Sequence, residues 1–446
     1  MSPSNRVQTL RALVQLLVGA SEQVIQEWET EDQLPADHSA TNVPSPELFE
    51  SQRIIHGACG MCMELVEDPR VRLLEISISY AMTQALDTTV RAGVPDILAE
   101  AEPFDGISVA ELSRRTGIDE QKLVRVMRVL CSGGVYEEIK PLRFTNTRYS
   151  RVFVDNPPAQ AYQCLYGSTF KLIVEATEHL PAALLDPKMT NSTSPLECAF
   201  QRAHGENKTL WSCIETGDEL DPVMHNAREM FPLAMIGQGQ MASSALIVDY
   251  PWGSLGAATV VDVGGGVGSM CLDLAKRFPD MRFVVEDLPV SIEKARPVWD
   301  AGIPGASEKE RVQLVIHNFF EKQPIKGAAV YFLRCIMHDW PDDECVAILS
   351  KLREAMGPDS RILLAEMIVH PPLGSRHLKA APTPLPANYG RVDAVKGMHD
   401  MVMLSMFNGS ERTPDQFDSI AHRAGLKLEK VWECRGPLGI AELRQL

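Results

Sequence analysis

Thr259-Val-Val-Asp-Val-Gly-Gly-Gly-Val-Gly268 is the stretch that decides the fold. Its first five residues form an apolar run suited to a strand buried on both faces. It closes on glycines at 264, 265, 266 and 268. A helical pattern follows through Met270, Leu272, Leu274, Ala275 and Phe278, and Pro279 ends it. Strand, glycine turn and helix together form a nucleotide-type binding site. Glycines let the backbone turn sharply and come close to a ligand, and the helix start offers unpaired N–H groups to a negative group. A dinucleotide fingerprint beginning at Gly264 needs glycine or alanine at 269, where this chain has Ser269. The spacing is instead Asp262-x-Gly264-x-Gly266-x-Gly268. Alone, such a motif also fits a tight turn in another α/β protein.

The segments that follow add weight. Met281–Val285 reads as a second strand ending at Glu286-Asp287-Leu288-Pro289, about 20 residues beyond the glycines, where an acid can accept from ribose hydroxyls. Val312–Ile316 is a third strand, ending at His317-Asn318-Phe319-Phe320. Ala328–Leu333 is a fourth, ending at Arg334-Cys-Ile-Met-His338-Asp339-Trp340. A helix over Asp342–Met356 leads to a fifth strand, Arg361–Ala365, ending at Glu366. Polar residues collected at strand ends fit an open parallel sheet that binds ligand at its carboxyl edge. Residues 371–390, rich in proline and glycine, read as a surface insertion. A Met-rich helix over Val392–Phe407, a turn at Gly409–Pro414, a further helix and two closing strands, Leu426–Glu433 and Leu438–Leu443, complete the chain.

Upstream, residues 7–28 predict a helix, 29–46 an acidic, proline-containing linker, and Pro46–Val66 a second helix. Together they read as a helical arm that packs on another unit or a partner subunit. His56, Cys59 and Cys62 share a helix face, but without a fourth ligand at zinc-type spacing they read as a packed face with Met61, Met63 and Leu65. Between Arg72 and Phe153 a winged-helix pattern appears. Ser108 and Glu111 form a capping box, Gly117 a C-cap, and 135–137 with 144–147 a wing. Lys122, Arg125 and Arg128 on its second helix are too few for a groove reader. Residues 156–220 look irregular, with five prolines and the aromatics Tyr162, Tyr166, Phe170, Phe200 and Trp211. A long helix resumes over Pro222–Val248, so a boundary is set near Asp221.

A length of 446 residues predicts two or three compact units. The balance of 43 basic against 59 acidic residues, −16 net, opposes nucleic-acid and anionic-membrane binding. No apolar run of the length of a membrane span is read, and no secretory leader, so a cytoplasmic location is expected by default. Ten scattered cysteines read as reduced thiols.

VVDVGGGVGS, EDLP, RCIMHDW, LLAE and SERTPDQF, in this order, resemble the caffeate-type O-methyltransferases, with the fungal aromatic-polyketide members nearest. The resemblance spans about residues 76–446. It implies an α/β Rossmann-like class I methyltransferase domain over 222–446, a winged-helix dimerisation and lid domain over 76–221, and a helical arm over 1–75. It implies S-adenosylmethionine as donor, S-adenosylhomocysteine as product, a homodimer, a small aromatic hydroxyl substrate and no metal. It places Gly264, Gly265 and Gly266 under the methionine part of the donor, Asp287 on the ribose, Asn318 and Phe319 against the adenine, and Arg334 where lysine is common. His338 corresponds to the general base, with Glu366 and Glu411 flanking it; Asp339 reads as loop support. Neutral imidazole at its ordinary pKa suits that role near pH 7. Tyr162, Tyr166, Met398, Met401 and Met403 are candidate pocket walls. The competing readings are a pericyclase or hydroxylase on the same fold, and a winged-helix regulator.

Overall fold

Ser45 caps the second helix of the chain. Its hydroxyl accepts the Leu48 N–H at 3.0 Å, and Pro46 fills the first helical position, where a missing N–H costs nothing. The computed structural model describes residues 3–31, 43–101, 104–167, 170–205, 207–216, 222–307 and 309–446. Most of the linker read over 29–46, and the boundary near Asp221, lie outside the described residues. Two compact units form: Met1–Glu67, Leu180–Arg202 and Met241–Leu446 make one, and Asp68–His179 with Ala203–Gln240 the other.

The arm consists of α1 (Pro3–Glu31) and α2 (Pro46–Val66), and belongs to the first unit. The apposed face of α2 is cut from small residues. A Cβ on Gly57 would lie 2.6 Å from the Tyr389 carbonyl oxygen, and one on Gly60 would lie 2.9 Å from Arg391 Cβ. Tyr389 is fully buried there, its hydroxyl donating to Glu50 at 2.7 Å beneath the Arg53 guanidinium, 3.8 Å from the ring. This corrects two expectations. Residues 371–390 are not merely a surface insertion, because Leu385 and Tyr389 are core residues. The expected packed face of α2 holds only in part: Met61, Cys62 and Leu65 pack against the core with the glycine side, whereas His56, Cys59 and Met63 are exposed.

The second unit starts with α3 (Pro69–Ile78), a helix with no buried residue, on which Val71, Leu73, Leu74 and Ile76 are all more than half exposed. After α4 (Tyr80–Arg91) and α5 (Val94–Ala99) come β1 (Ile107–Ser108), α6 (Val109–Thr116), α7 (Glu120–Ser132), β2 (Tyr136–Lys140) and β3 (Arg143–Asn146). The strands form a sheet in the order β1-β3-β2. Leu112, Leu123, Met127, Leu130 and Phe144 are fully buried between helices and wing. Ser108 caps α6 through the Glu111 N–H at 3.2 Å, and Gly117 ends it in the left-handed region. The Glu111 carboxylate, however, turns to Arg114.

Beyond the wing the structure is more regular than expected, with α8 (Pro157–Leu165), α9 (Leu172–Leu184), α10 (Ala199–His204), α11 (Leu210–Thr216) and α12 (Pro222–Asp249). Pro157 and Pro158 open α8 rather than break it, since a first turn needs no intrahelical N–H. Within α12, Arg228–Asp249 has a mean hydropathy of 1.2 over a span-length window, contrary to the expectation that no such run exists. Ala242, Ala245 and Leu246 of that run are buried in the core of the first unit.

That core surrounds a seven-stranded sheet. Its elements are β4 (Thr259–Val263), α13 (Ser269–Arg277), β5 (Arg282–Asp287), α14 (Pro289–Gly302), β6 (Val312–Ile316), β7 (Val330–Arg334), α15 (Asp342–Arg353), β8 (Arg361–Glu366), α16 (Ala394–Phe407), α17 (Pro414–Arg423), β9 (Leu426–Trp432) and β10 (Gly439–Gln445). The strand order is β6-β5-β4-β7-β8-β10-β9. All pairs from β6 to β8 are parallel, and β10 is antiparallel to β8 and β9. Val260, Val261 and Val263 are fully buried, as a strand covered on both faces requires. The chain proceeds outward from β4 to β6, then returns to place β7 on the other side of β4. The carboxyl ends of β4 and β7 therefore flank the topological switch point, where open α/β sheets bind ligands.

Candidate active site at the switch point

The glycine turn leaves β4 with Gly264, Gly266 and Gly268 at positive φ of 70°, 62° and 73°. Gly264 and Gly265 are held by their N–H groups on the Glu286 carbonyl, at 2.8 and 3.0 Å. A Cβ at Gly264 would meet Ile336 at 2.7 Å, and one at Gly265 would meet the Asp262 carboxylate at 2.6 Å. At Gly266 nothing lies within 4 Å, so the turn is tight behind and open in front. The Gly266 N–H donates to Asp287 Oδ2 at 2.7 Å, and the Leu288 N–H donates to Oδ1 at 2.7 Å. Asp287 thus stands half-buried at the end of β5, beside the open side of the turn. The alternation of a strand sends its neighbour the other way: Glu286 is buried against Gln323 Nε2 at 2.8 Å, and burial pushes its carboxyl up to about 7.

Phe319 reaches the back of the turn, 3.5 Å from the position of a Gly264 Cβ, and stands edge-on to Trp340 with centroids 6.0 Å apart. Asn318 is exposed and spends its Oδ1 on the Phe320 N–H at 3.0 Å. Arg334 is tied to the hydroxyls of Ser243 and Ser269 at 3.3 and 3.2 Å. Beneath it Asp262 is buried, which raises its carboxyl to about 6 against the pull of Arg334. A glycine cradle that a Cβ would fill, an acid beside it, a cation and an aromatic pair match the donor groups of S-adenosylmethionine.

His338 lies on a single 3-10 turn, Met337–Asp339, after β7. It is 6% exposed. Its Nδ1 is 2.7 Å from Glu411 Oε1, 3.7 Å from Glu366 Oε2, and its Nε2 is 3.5 Å from Asp339 Oδ1. The structure separates the roles of the two flanking acids. Glu411 alone is within hydrogen-bond reach of the ring, whereas Glu366 Oε1 accepts the main-chain N–H groups of Ile336 and Met337 at 3.1 and 2.8 Å. Asp339 is not only loop support, because its carboxylate faces Nε2.

Charge decides the proton positions. Burial pushes Glu411 upward, but His338 and His399 outweigh it and hold the carboxyl down to about 2. An ionised carboxylate only accepts, so His338 carries a proton on Nδ1 and its basic atom is Nε2. Burial opposes an imidazolium at His338, yet Glu411, Asp339 and Glu366 prevail and raise its pKa to about 10. The carboxylates cannot all stay charged around one ring. Glu411 keeps its charge, while burial pushes Glu366 and Asp339 up to about 7. Against the neutral imidazole expected near pH 7, the surrounding carboxylates shift the ring toward its protonated form.

Residues 179–427 match the O-methyltransferase domain, and residues 74–156 match the O-methyltransferase dimerisation domain. The chain belongs to the O-methyltransferase family. It is 39% identical to the O-methyltransferase gedA of Aspergillus terreus, over 99% of this chain and 97% of that protein. It is 29% identical to the demethylsterigmatocystin 6-O-methyltransferase of Aspergillus parasiticus, over 74% of this chain and 77% of the relative. Among solved structures, the mitomycin 7-O-methyltransferase MmcR aligns with a TM-score of 0.65 at 25% identity, over 84% of this chain and 98% of the other. The fold is a class I methyltransferase sheet with an N-terminal dimerisation domain.

In this O-methyltransferase two site residues escaped the sequence reading. Arg412 is 2% exposed and clamps the His338 turn from both sides: Nη1 donates to the Met337 carbonyl at 2.7 Å and Nη2 to the Trp340 carbonyl at 2.8 Å. His399, 8% exposed on α16, places its Nδ1 2.8 Å from the same Glu411 oxygen that His338 uses. The signal for Arg412 was its place in SERTPDQF. For His399 there was none, since a histidine in a Met-rich helix reads as core. The candidate walls fall apart in kind: Met398 and Met401 are exposed, Met403 is buried, and Tyr162 meets Tyr166 edge-on at 5.6 Å in the second unit. Among the described residues, metal-capable donor atoms converge in two sets, His338 with His399 and Glu411, and Cys335 with His338 and Glu366.

Proposed function

We propose that this O-methyltransferase methylates a phenolic hydroxyl of a small polyketide-derived aromatic, with S-adenosylmethionine as donor and His338 as the residue that takes the hydroxyl proton. The observation that carries this is the buried 2.7 Å contact of His338 with Glu411 at the carboxyl edge of β7, the strand paired with β4, whose glycine turn is open at Gly266. The substrate class is supported by the relative whose name specifies demethylsterigmatocystin. Gly264, Gly265, Gly266, Asp287, Phe319 and Arg334 are the residues that would hold the donor. When bound, it supplies a methyl group on a sulfonium sulfur.

The remaining work belongs to the protein. As the hydroxyl oxygen attacks, its O–H bond breaks and the proton passes to Nε2 of His338. Glu411, already hydrogen-bonded to Nδ1, stabilises the imidazolium without moving. An ordinary imidazole at about 6.5 facing a phenol at about 10 would be short by roughly 5 kcal/mol. With the carboxylates around it, His338 rises to about 10 and that shortfall nearly vanishes. The consequence is that the reactive pair holds one proton fewer than the neutral-pH resting site, so turnover rises with pH. Positioning contributes the rest. A homodimer through the second unit fits both the dimerisation-domain match and the uncovered apolar α3.

The test is mass spectrometry of labelled methyl transfer to a panel of polyketide phenols, with wild type and His338→Ala compared. Transfer to a phenol that His338→Ala reduces at least a hundredfold is expected. Undiminished transfer by that variant would remove His338 from the reaction.

A further inference from the structure

Glu411 is a shared carboxylate. Its Oε1 accepts from His338 at 2.7 Å and from His399 at 2.8 Å, while its Oε2 is buried without a hydrogen-bond partner. The three side chains come from separate elements: the turn after β7, the helix α16 and the loop before α17. The two imidazole rings lie 5.6 Å apart with planes inclined by 27°. Because Glu411 only accepts, both rings present an N–H to one oxygen. Two donors on one oxygen divide its negative charge, so each feels less of it than it would alone.

The surroundings single out this sharing. Among the described residues, His338 faces Asp339 on its own turn, Cys335 at the end of β7, and Glu366 at the end of β8. Glu411 is held from behind by Asp400, which accepts its N–H at 2.7 Å, and is followed by Arg412. Glu366 already serves two main-chain N–H groups. Of these groups, only His399 donates to the oxygen that His338 uses.

We propose that His399 is a positioning residue for methyl transfer: by holding the Glu411 oxygen it aligns that carboxylate on His338 and draws off part of its charge, so that His338 releases its proton more readily than Glu411 alone would allow. This rests on the reading of His338 as base.

The experiment follows the His338 ring directly, by nitrogen NMR titration of the full chain, alongside the pH profile of kcat/KM. His399→Phe fills the volume with no donor, and His399→Asn keeps a donor nitrogen close to the Nδ1 position. His399→Phe is expected to move the His338 titration and the activity limb up by about one pH unit, about tenfold in rate at neutral pH. His399→Asn is expected to stay with wild type. Should His399→Phe not fold, His399→Leu makes the same comparison. A donor-free variant that titrates with wild type overturns the proposal, as does an identical shift in His399→Asn. The NMR arm needs no turnover, so it fails or succeeds apart from the base assignment, which His338→Ala tests alone.

Discussion

Arg412 donates to the carbonyl of Met337 at 2.7 Å, one residue ahead of the imidazole that Glu411 holds one residue before Arg412. One short strip, Ser410-Glu411-Arg412, therefore fixes both the ring and the backbone of the His338 turn. The Ser410 N–H completes the strip on the His338 carbonyl at 3.0 Å. Arg412 is fully buried, and its ion-pair partner Asp342 has a side chain that is 57% exposed, so the main-chain carbonyls are its firm partners. Arg412→Met strands those carbonyls. It is expected to lower stability by about 3 kcal/mol in chemical denaturation, and to reduce turnover even where the chain stays folded. Loss of less than about 1 kcal/mol would show that water replaces the guanidinium.

Glu411→Gln keeps the shape and removes the charge. His338 should lose its strongest support, and its titration should fall toward the ordinary imidazole range. Turnover is expected to drop roughly a hundredfold, with the alkaline limb of the activity profile displaced to lower pH. An unmoved limb with reduced rate would mean that Glu411 acts only through shape.

Stability should depend on pH in a definite direction. His338 is raised from 6.5 to about 10 in the folded chain, so its stabilisation is complete below pH 6.5 and is lost as pH rises through about 10. Glu366 and Asp339, both raised to about 7, act in the same direction over a lower window. Glu411, lowered to about 2 from 4.5, stabilises above pH 4.5 and loses that contribution as pH falls toward 2. The thermal midpoint of wild type should therefore decline from pH 7 to pH 10, and His338→Gln should flatten the decline. Parallel curves for the two proteins would contradict the assignment of the charge.

The open side of the glycine turn is testable by one methyl group. At Gly266 φ is +62° and nothing lies within 4 Å of a Cβ. Gly266→Ala should fold with a loss of about 1–2 kcal/mol from the left-handed backbone, yet bind S-adenosylhomocysteine at least tenfold more weakly in calorimetry. Unaltered affinity would place the donor elsewhere.

Several features were legible in the sequence for physical reasons. The valines of β4 and the spaced glycines announce a buried strand and a turn at positive φ, since few other residue types meet those local demands. Helix starts at Ser45, Ser108 and Thr413 carry their own hydroxyl caps. Residues 156–220 misled because proline signals a break only when its place in the turn is known. The segment 371–390 misled because the burial of Tyr389 depends on Gly57 and Gly60, more than 300 residues away.

By itself, the sequence determined the sheet strands and the glycine turn, because each follows from local pattern, while His338, Glu366 and Glu411 were pointed to by the resemblance of RCIMHDW, LLAE and SERTPDQF to a known family. Only the tertiary structure decided which acid holds the imidazole, that His399 shares it, and that Arg412 clamps its turn. Those outcomes depend on distances between residues on different elements and on how much water is excluded from among them, and neither quantity is written in the order of the chain.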